Sequence, residues 1–335
     1  MQCKQRCVTG YVVLGYVSQI EKAREREVIS SVSMNVFSFK YRNVILGVTA
    51  TVIGYYTVLM PHTVFLKKYR YVMATYQLGK ETPLGSKIEQ RIQRVMDDLK
   101  LPVDVRDAVK PFSVFGFDLF HAGTLSAKYG AILGIPANFI STTEELRENL
   151  QIKEESVDWT RQDAQAFLRA MRLSESAQKF AIARELLRIQ AEEPYFNSLG
   201  LAVIIATLLT LYSFVSYRFR LREGNAMMRR TFYVVFPVFG ATLWFGMKDY
   251  RSHRLDMEND EALCRLGPEY IKGGQEFYDK LLIRNKALRS LLGTEGKSIF
   301  TVHGNEETLL RQKHVPISQR KDYFDSHLRN LEGMK

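Results

Sequence analysis

Six histidines, His62, His121, His253, His303, His314 and His327, are the chain's raw material for metal or acid–base chemistry. Two zinc ligands on one helix need histidines four residues apart, as in HExxH. No pair of these six has that spacing, and no HExxH occurs. A single histidine is more often a surface or hydrogen-bonded residue than a ligand. Cys3 and Cys7 are four apart, but no second pair completes a zinc site. With Cys264 they make three cysteines, too few for a disulfide framework, and the first two read as free thiols in a tail. GTEGKS at 293–298 resembles a phosphate loop, whose spacing would put a glycine at 291. That position is leucine and no strand precedes it, so the stretch reads as a helix-stop glycine and a turn. Asp118, His121, Asp158, His253 and Glu261 remain as raw material for a hydrolase, with no spacing that pairs them. In SAQKFAIARELLRI, Ala177, Phe180, Ala181 and Arg184 share a helix face beside Glu185. Arg184 and Glu185 are there either as a buried ion pair or as ordinary solvated helix charges.

The elements that must carry these residues include three apolar runs. Asn43–Leu66 has 24 residues, Asn197–Tyr217 has 21 and Thr231–Met247 has 17, all without Asp, Glu, Lys or Arg. A helix crosses the hydrocarbon core with about 20 apolar residues, within a range of about 17–25. Pro61 limits the first run to its part up to Met60, and Pro237 and Gly240 interrupt the third. Tyr195, Phe196, Tyr212 and Tyr217 flank the second run, and Phe232, Tyr233 and Trp244 flank the third, as in a membrane-interface belt. The second and third runs therefore read as a membrane hairpin and the first as a further span.

Charge gives the hairpin a direction. Of the net +11, segments 1–43 and 218–230 hold +4 each. Such a concentration beside apolar runs argues against a nucleic-acid binder, which carries its basic excess on a folded face with aromatics for stacking. Arg218, Arg220, Arg222, Arg229 and Arg230 fill the short loop between the second and third runs. Basic residues in short loops stay on the side from which insertion occurs. That loop and the N-terminus are then on the inner side, while 61–196 and 248–335 are outside. Lys67, Lys68 and Arg70, just after the first span, run against this pattern. The expected organisation is a targeting or inner-side segment at 1–42, membrane helices at 43–60, 197–217 and 231–247, a basic loop at 218–230, and outer regions at 61–196 and 248–335. Residues 1–33 contain no acid before Glu21, which suits a targeting segment, and Met34 offers an alternative start.

Outside the membrane, Ile88, Ile92, Val95 and Leu99 predict an amphipathic helix over 85–101. The glycine-punctuated aromatic and β-branched stretch 110–140 predicts two or three strands, one within 112–120 and one within 128–135. Thr160 with Asp163 has capping-box spacing, Ser174 caps the next helix, and Pro194 separates that helix from the second span. Pro268 suits the first turn of a helix that Gly293 stops, in which Phe277, Tyr278, Leu281 and Leu282 form a core face. The tail 294–335 reads as loops with short helices. Gly200, Gly240 and Gly246 would permit close helix approach, although glycine is also common in membrane helices. The fold class is an α+β membrane protein, predominantly helical, with a small antiparallel sheet before a transmembrane hairpin. No residue set implies a cofactor.

The stretches KPFSVFGFD, GIPANFI, VDWT, LSESAQKFAIARELL and GGQEFYDKLLIRNKALRSLLG resemble the transmembrane protein 177 family, in order, from about Met34 to Asp322. The resemblance implies a mitochondrial inner-membrane protein. It also implies a non-enzymatic role in biogenesis of cytochrome c oxidase subunit 2, through association with the membrane chaperone of that subunit. The basic loop would then face the matrix and the outer regions the intermembrane space. A general inner-membrane scaffold and a membrane-bound hydrolase are the alternatives.

The layout of strands, helix, membrane hairpin and helix is also similar to membrane zinc metallopeptidases of the HtpX and CAAX-prenyl-protease type. Those carry HExxH before the hairpin and a glutamate ligand after it. Here FAIAR, Phe180–Arg184, stands in the first place and ALCRLG, Ala262–Gly267, in the second. Phe180 and Arg184 replace the histidines, Ala181 the general base and Ala262 the glutamate. Zinc hydrolysis needs three protein ligands and an activated water, so the resemblance implies a peptidase-like scaffold without peptidase chemistry.

Overall fold

The computed structural model describes residues 44–139, 143–149, 151–152, 155–221, 226–308 and 311–333. The expected targeting segment, the start at Met34, the thiols Cys3 and Cys7, and Arg222 lie outside the described residues.

Residues 44–59 form helix α1, which closes in a 3-10 turn, Met60–His62. Helix α2 (Leu66–Met73) is hooked to that turn, with Phe65 N–H donating to Met60 O at 3.0 Å. A small hairpin of β1 (Tyr76–Gln77) and β2 (Lys80–Glu81) follows. Helix α3 (Ser86–Asp98) buries Ile88, Ile92, Val95 and Met96, the face its periodicity predicts. The short α4 (Val103–Ala108) leads into the sheet.

The sheet holds β3 (Val109–Val114), β4 (Phe120–Thr124) and β5 (Gly130–Pro136) in the order β3-β5-β4. Within this sheet β4 and β5 pair antiparallel as expected, whereas β3 joins β5 in parallel. The strand expected within 112–120 starts earlier, at Val109, and Pro136 closes β5 from inside the strand. The central strand is apolar because both its faces are covered. Ala131, Leu133 and Ile135 point to the main core, and Ile132 to a second cluster under α2 with Leu66, Phe112, Val114 and Ala122. That is the period-two alternation of a strand.

After α5 (Thr143–Asn149) and the two-residue strands β6 (Gln151–Ile152) and β7 (Glu155–Ser156) comes α6 (Gln162–Met171). Thr160 is not its cap. Its N–H and hydroxyl both donate to Asp158 Oδ1, at 3.0 and 2.6 Å, and the helix starts two residues later with Arg161 at the N-cap. Ser174 does cap α7 (Glu175–Gln190), accepting from Ala177 N–H at 3.2 Å. Helix α8 (Glu193–Arg218) starts afresh after Glu192, with Pro194 in its first turn. Helix α9 (Ala226–Arg265) is a single 40-residue helix that carries Pro237 within it and continues well past the apolar run. Helix α10 (Pro268–Leu291) begins and ends where Pro268 and Gly293 predict, and buries Phe277, Tyr278 and Leu282. Helix α11 (Thr294–Ile299) is short, whereas α12 (Ile317–Gly333) has 17 residues and buries Phe324 completely. Helix α7 is the hub: its buried residues meet those of the sheet, α3, α10 and α12 in one cluster.

Among the described residues two helical runs are long and apolar enough to cross a membrane. One is Val44–His62; the other reaches Arg218 through α8, and only 6% of either apolar window is buried. The apolar part of α9 lies antiparallel along α8. Trp244 Nε1 donates to Asn197 O at 3.2 Å, and the rings of Tyr212 and Tyr233 are 5.5 Å apart near the other end. Four hydroxyls in these apolar helices bond within their own helix: Thr51 to Gly47 O, Thr210 to Ala206 O, Ser213 to Leu209 O and Thr242 to Val238 O, at 2.8–3.0 Å. A surface without water requires such internal satisfaction.

Candidate functional site

The polar centre of the chain is built around α7. Glu185 is 2% exposed, with His121 Nδ1 of β4 lying 2.6 Å from its Oε2 and Arg184 Nη2 donating to its Oε1 at 2.7 Å. Arg184 and Glu185 are thus a buried ion pair rather than solvated charges. Burial alone would raise the Glu185 carboxyl; the Arg184 charge and the His121 hydrogen bond outweigh it and hold the group well below the usual carboxylate range. Arg184 also stacks on the Phe277 ring, with 5.1 Å to the centroid.

One turn on, Arg188 reaches Asp256 of α9 at 3.5 Å. Asp256 is 1% exposed and meets His314 Nδ1 at 3.0 Å and Arg320 of α12 at 3.1 Å. Arg320 then clamps Asp260 through Nε and Nη2, at 2.6 and 2.7 Å, while Tyr278 donates to Asp260 Oδ1 at 2.9 Å. Burial pushes Asp256 up, but the His314 hydrogen bond, Arg320 and Arg188 together depress it far below its ordinary value. From sequence, His314 was only one of six unpaired histidines and Tyr278 a core-face residue, and Arg188, Asp256, Asp260 and Arg320 were not singled out. Asp260 and Arg320 are 60 residues apart, and only the helical spacing of Asp256 and Asp260 carried any signal.

The positions that would bear zinc ligands in a peptidase are occupied by packing. Phe180 is fully buried, with the rings of Phe277, Tyr278 and Phe324 at 5.1–5.7 Å. Ala181 is likewise buried, and Arg184 is committed to Glu185. Ala262 is half-buried; the residues α9 turns inward are Asp256, Asn259, Asp260 and Leu263. The five hydrolase candidates each engage a different partner: Asp118 with Arg284, His121 with Glu185, Asp158 with Thr160, His253 with Gln312 O and Glu261 with Arg265. Among the described residues no group of three or more His, Cys, Asp and Glu is placed to hold a metal ion. A cleft of about 50 Å³ lies beside this centre, with Asp118, Asn138, Arg184, Lys280 and Arg284 on its walls.

Two of the three membrane glycines stand at close contacts. A Cβ on Gly200 would lie 2.0 Å from Met247 Cε, and one on Gly240 2.5 Å from Leu208 Cδ1; Gly246 faces open space. Gly54 of α1, not anticipated, meets Ile205 Cδ1 of α8 at 2.3 Å in the same sense, so α1 joins the α8–α9 pair. The loop expected at 218–230 is shorter: Arg218 ends α8, Arg220 lies in the connection, and Arg229 and Arg230 stand in the first turns of α9.

Uncovered apolar helices, internally satisfied hydroxyls and an α+β region beside them define a membrane protein with a sizeable folded part outside the bilayer. No solved structure matches the chain. The profile of the transmembrane protein 177 family matches residues 38–324. Similar proteins include the Xenopus laevis transmembrane protein 177, 29% identical over 88% of this chain and 96% of the frog protein, and its Danio rerio counterpart, 30% identical over 89% and 97%. The Homo sapiens protein is 33% identical over 79% of this chain and 84% of its own length. The chain belongs to the transmembrane protein 177 family.

Proposed function

We propose that the chain is a non-enzymatic assembly or stabilising factor of the mitochondrial inner membrane, acting in biogenesis of cytochrome c oxidase subunit 2 through association with that subunit's membrane chaperone. The pathway rests on family membership. The observation that carries the non-enzymatic part is the filled face of α7, where Phe180, Ala181 and Arg184 are committed to packing and to an internal ion pair. On this reading the layout is a peptidase-like scaffold without peptidase chemistry. Helices α1, α8 and the apolar part of α9 span, the arginine loop lies in the matrix, and 61–196 and 248–335 lie in the intermembrane space. The retention of short basic loops on the insertion side supports that orientation.

A mild-detergent pull-down of the full chain from mitochondria, read by mass spectrometry, tests the proposal. Enrichment of cytochrome c oxidase subunit 2 and its chaperone is the expected result. Their absence with intact bait would overturn it. Protease treatment of mitoplasts tests the topology: the outer regions should be cut and the 218–230 loop spared.

A further inference from the structure

The outer region carries an apolar patch that its own fold leaves uncovered. Helix α2 packs Leu66, Tyr69 and Met73 onto the sheet. Its other side presents Val64, Phe65, Tyr71 and Val72, the last two 70% and 75% exposed. The hairpin after α2 extends this surface: the rings of Tyr71 and Tyr76 are 5.4 Å apart, and Tyr76 Oη donates to Tyr71 O at 3.0 Å. At the hairpin tip Leu78 is fully exposed, and its backbone is left-handed with φ 50°. Both features are unfavourable for leucine, since that conformation crowds its Cβ and its side chain gains nothing from water. Phe115 stands beside the same edge, 78% exposed, with its N–H donating to Met73 O at 2.8 Å.

Two observations choose the occupant. The patch is continuous with the membrane: α2 follows the end of α1 through a single turn, and Val64 and Phe65 lie at that junction. Its charge is basic: Lys67, Lys68 and Lys80 are exposed with no acidic partner among the described residues, while Arg70 and the patch's Glu81 neutralise each other at 2.6 Å. Lys67 and Lys68 are among the residues that oppose the inside-positive pattern, and acidic lipid headgroups give them a role on the outer side. We propose that α2, the Leu78 hairpin tip and Phe115 rest in the outer-side headgroup layer of the bilayer, with Lys67 and Lys68 on acidic lipid. The proposal rests on α1 spanning the membrane.

The test uses the full chain with Trp159→Phe and Trp244→Phe, reconstituted into phosphatidylcholine vesicles with and without phosphatidylglycerol. The lipid is brominated near the headgroup end of its chains to read 78 and 72, and near the methyl end to read 53, which lies at the middle of α1. Single tryptophan reporters are Leu78→Trp and Val72→Trp, with Ile53→Trp in α1 as the internal standard. Quenching at 78 and 72, stronger with phosphatidylglycerol, is expected. Lys67→Gln and Lys68→Gln should each lower the seating equilibrium about fivefold in acidic vesicles. Quenching at 53 with none at 78 and 72 would overturn the proposal and leave the patch to a protein partner. Absence of quenching at 53 would remove the α1 span as well, and with it the basis of the proposal.

Discussion

Gly273 is where the hub helix and its main neighbour come closest, and Gly273→Ala should be costly there. A Cβ at 273 would stand 2.3 Å from Ser176 O, 2.7 Å from Ser176 C and 3.2 Å from Phe180 Cβ. A carbon meets a carbonyl oxygen comfortably at about 3.3 Å, so α10 must retreat from α7 by about 1 Å. Alanine gains about 1 kcal/mol over glycine in a helix interior. Against that, overpacking costs about 1–3 kcal/mol, and a gap of about 1 Å forfeits up to half of each dispersion contact it opens. The contacts at risk are those of Phe180 with Phe277, Tyr278 and Phe324, rings that are all nearly or wholly buried. Forfeited dispersion over a few tens of atom pairs is about 2 kcal/mol, so with overpacking added and the propensity gain subtracted the net loss is about 2–4 kcal/mol.

Gly200→Ala is the control. Its Cβ would meet only the end of Met247, a flexible side chain that can swing aside, so the change should stay within about 1 kcal/mol. The assay is unfolding of the full chain in mild detergent at one scan rate, followed by far-ultraviolet circular dichroism. Gly273→Ala should lower the midpoint by about 5–10 °C, and Gly200→Ala should move it by no more than about 3 °C. A Gly273→Ala midpoint at or above the parent's would mean that helix propensity outweighs the contact, and would refute the close α7–α10 approach.

Three further outcomes follow from the polar centre. Arg320→Met removes the cation shared by Asp256 and Asp260 and should cost about 3–5 kcal/mol, while adding Asp260→Asn should recover part of that, read as a non-additive double-mutant cycle in the same unfolding assay. Glu185 and Asp256 are depressed in the folded state, so their stabilisation is fully present above the unfolded carboxylate range and is lost as pH falls. The midpoint should drop steeply below about pH 4, and Asp256→Asn should start lower but fall less steeply with acid. Burial, with Asp260 beside it, pushes the Cys264 thiol up to about 12, so at neutral pH it should label with maleimide about a thousandfold more slowly than a free thiol, and at the free rate once unfolded. Mass spectrometry of the Cys264 peptide reads that difference.

Where one local rule decides an element, the sequence predicted it: the period of Ile88, Ile92 and Val95, the Ser174 cap, Pro268 at a helix start and Gly293 at its stop. Thr160 failed because two local rules compete there. Asp158 captures its hydroxyl and N–H, and Asp163 turns instead to Arg161 and Ser290. Helix α12 was underestimated, although Ile317, Phe324, Leu328 and Leu331 recur at helical spacing within its polar sequence. The length of α9 was open because 248–265 has no apolar stripe to announce it. It also has no proline or glycine to stop it, and pairs such as Arg254 with Glu258 support it four residues apart. Beyond the Arg184–Glu185 pair, the buried ion network was out of reach of sequence reasoning because its charged members come from α7, α9 and α12. Polar residues in an exposed-looking helix do not reveal that a distant arginine will bury them.

On the proposed reading, the face of α7 shows what a peptidase layout would have to give up to become a core. A catalytic zinc site keeps a polar ligand set and an open position for water. Without the metal, the same buried ligands would be unpaired polar groups, each costing free energy. Phe180 and Ala181 remove that cost, and Gly273 and Gly274 let α10 close over them, with a Cβ at 274 lying 2.6 Å from Phe324 and 2.8 Å from the Phe180 ring. Histidines placed at 180 and 184 would therefore meet no vacant coordination sphere. The first would sit among three rings, and the second would strip Glu185 of its guanidinium partner. On the proposed reading the interior of this region supports the fold, the patch around α2 meets lipid, and recognition of a partner falls to the uncovered membrane helices.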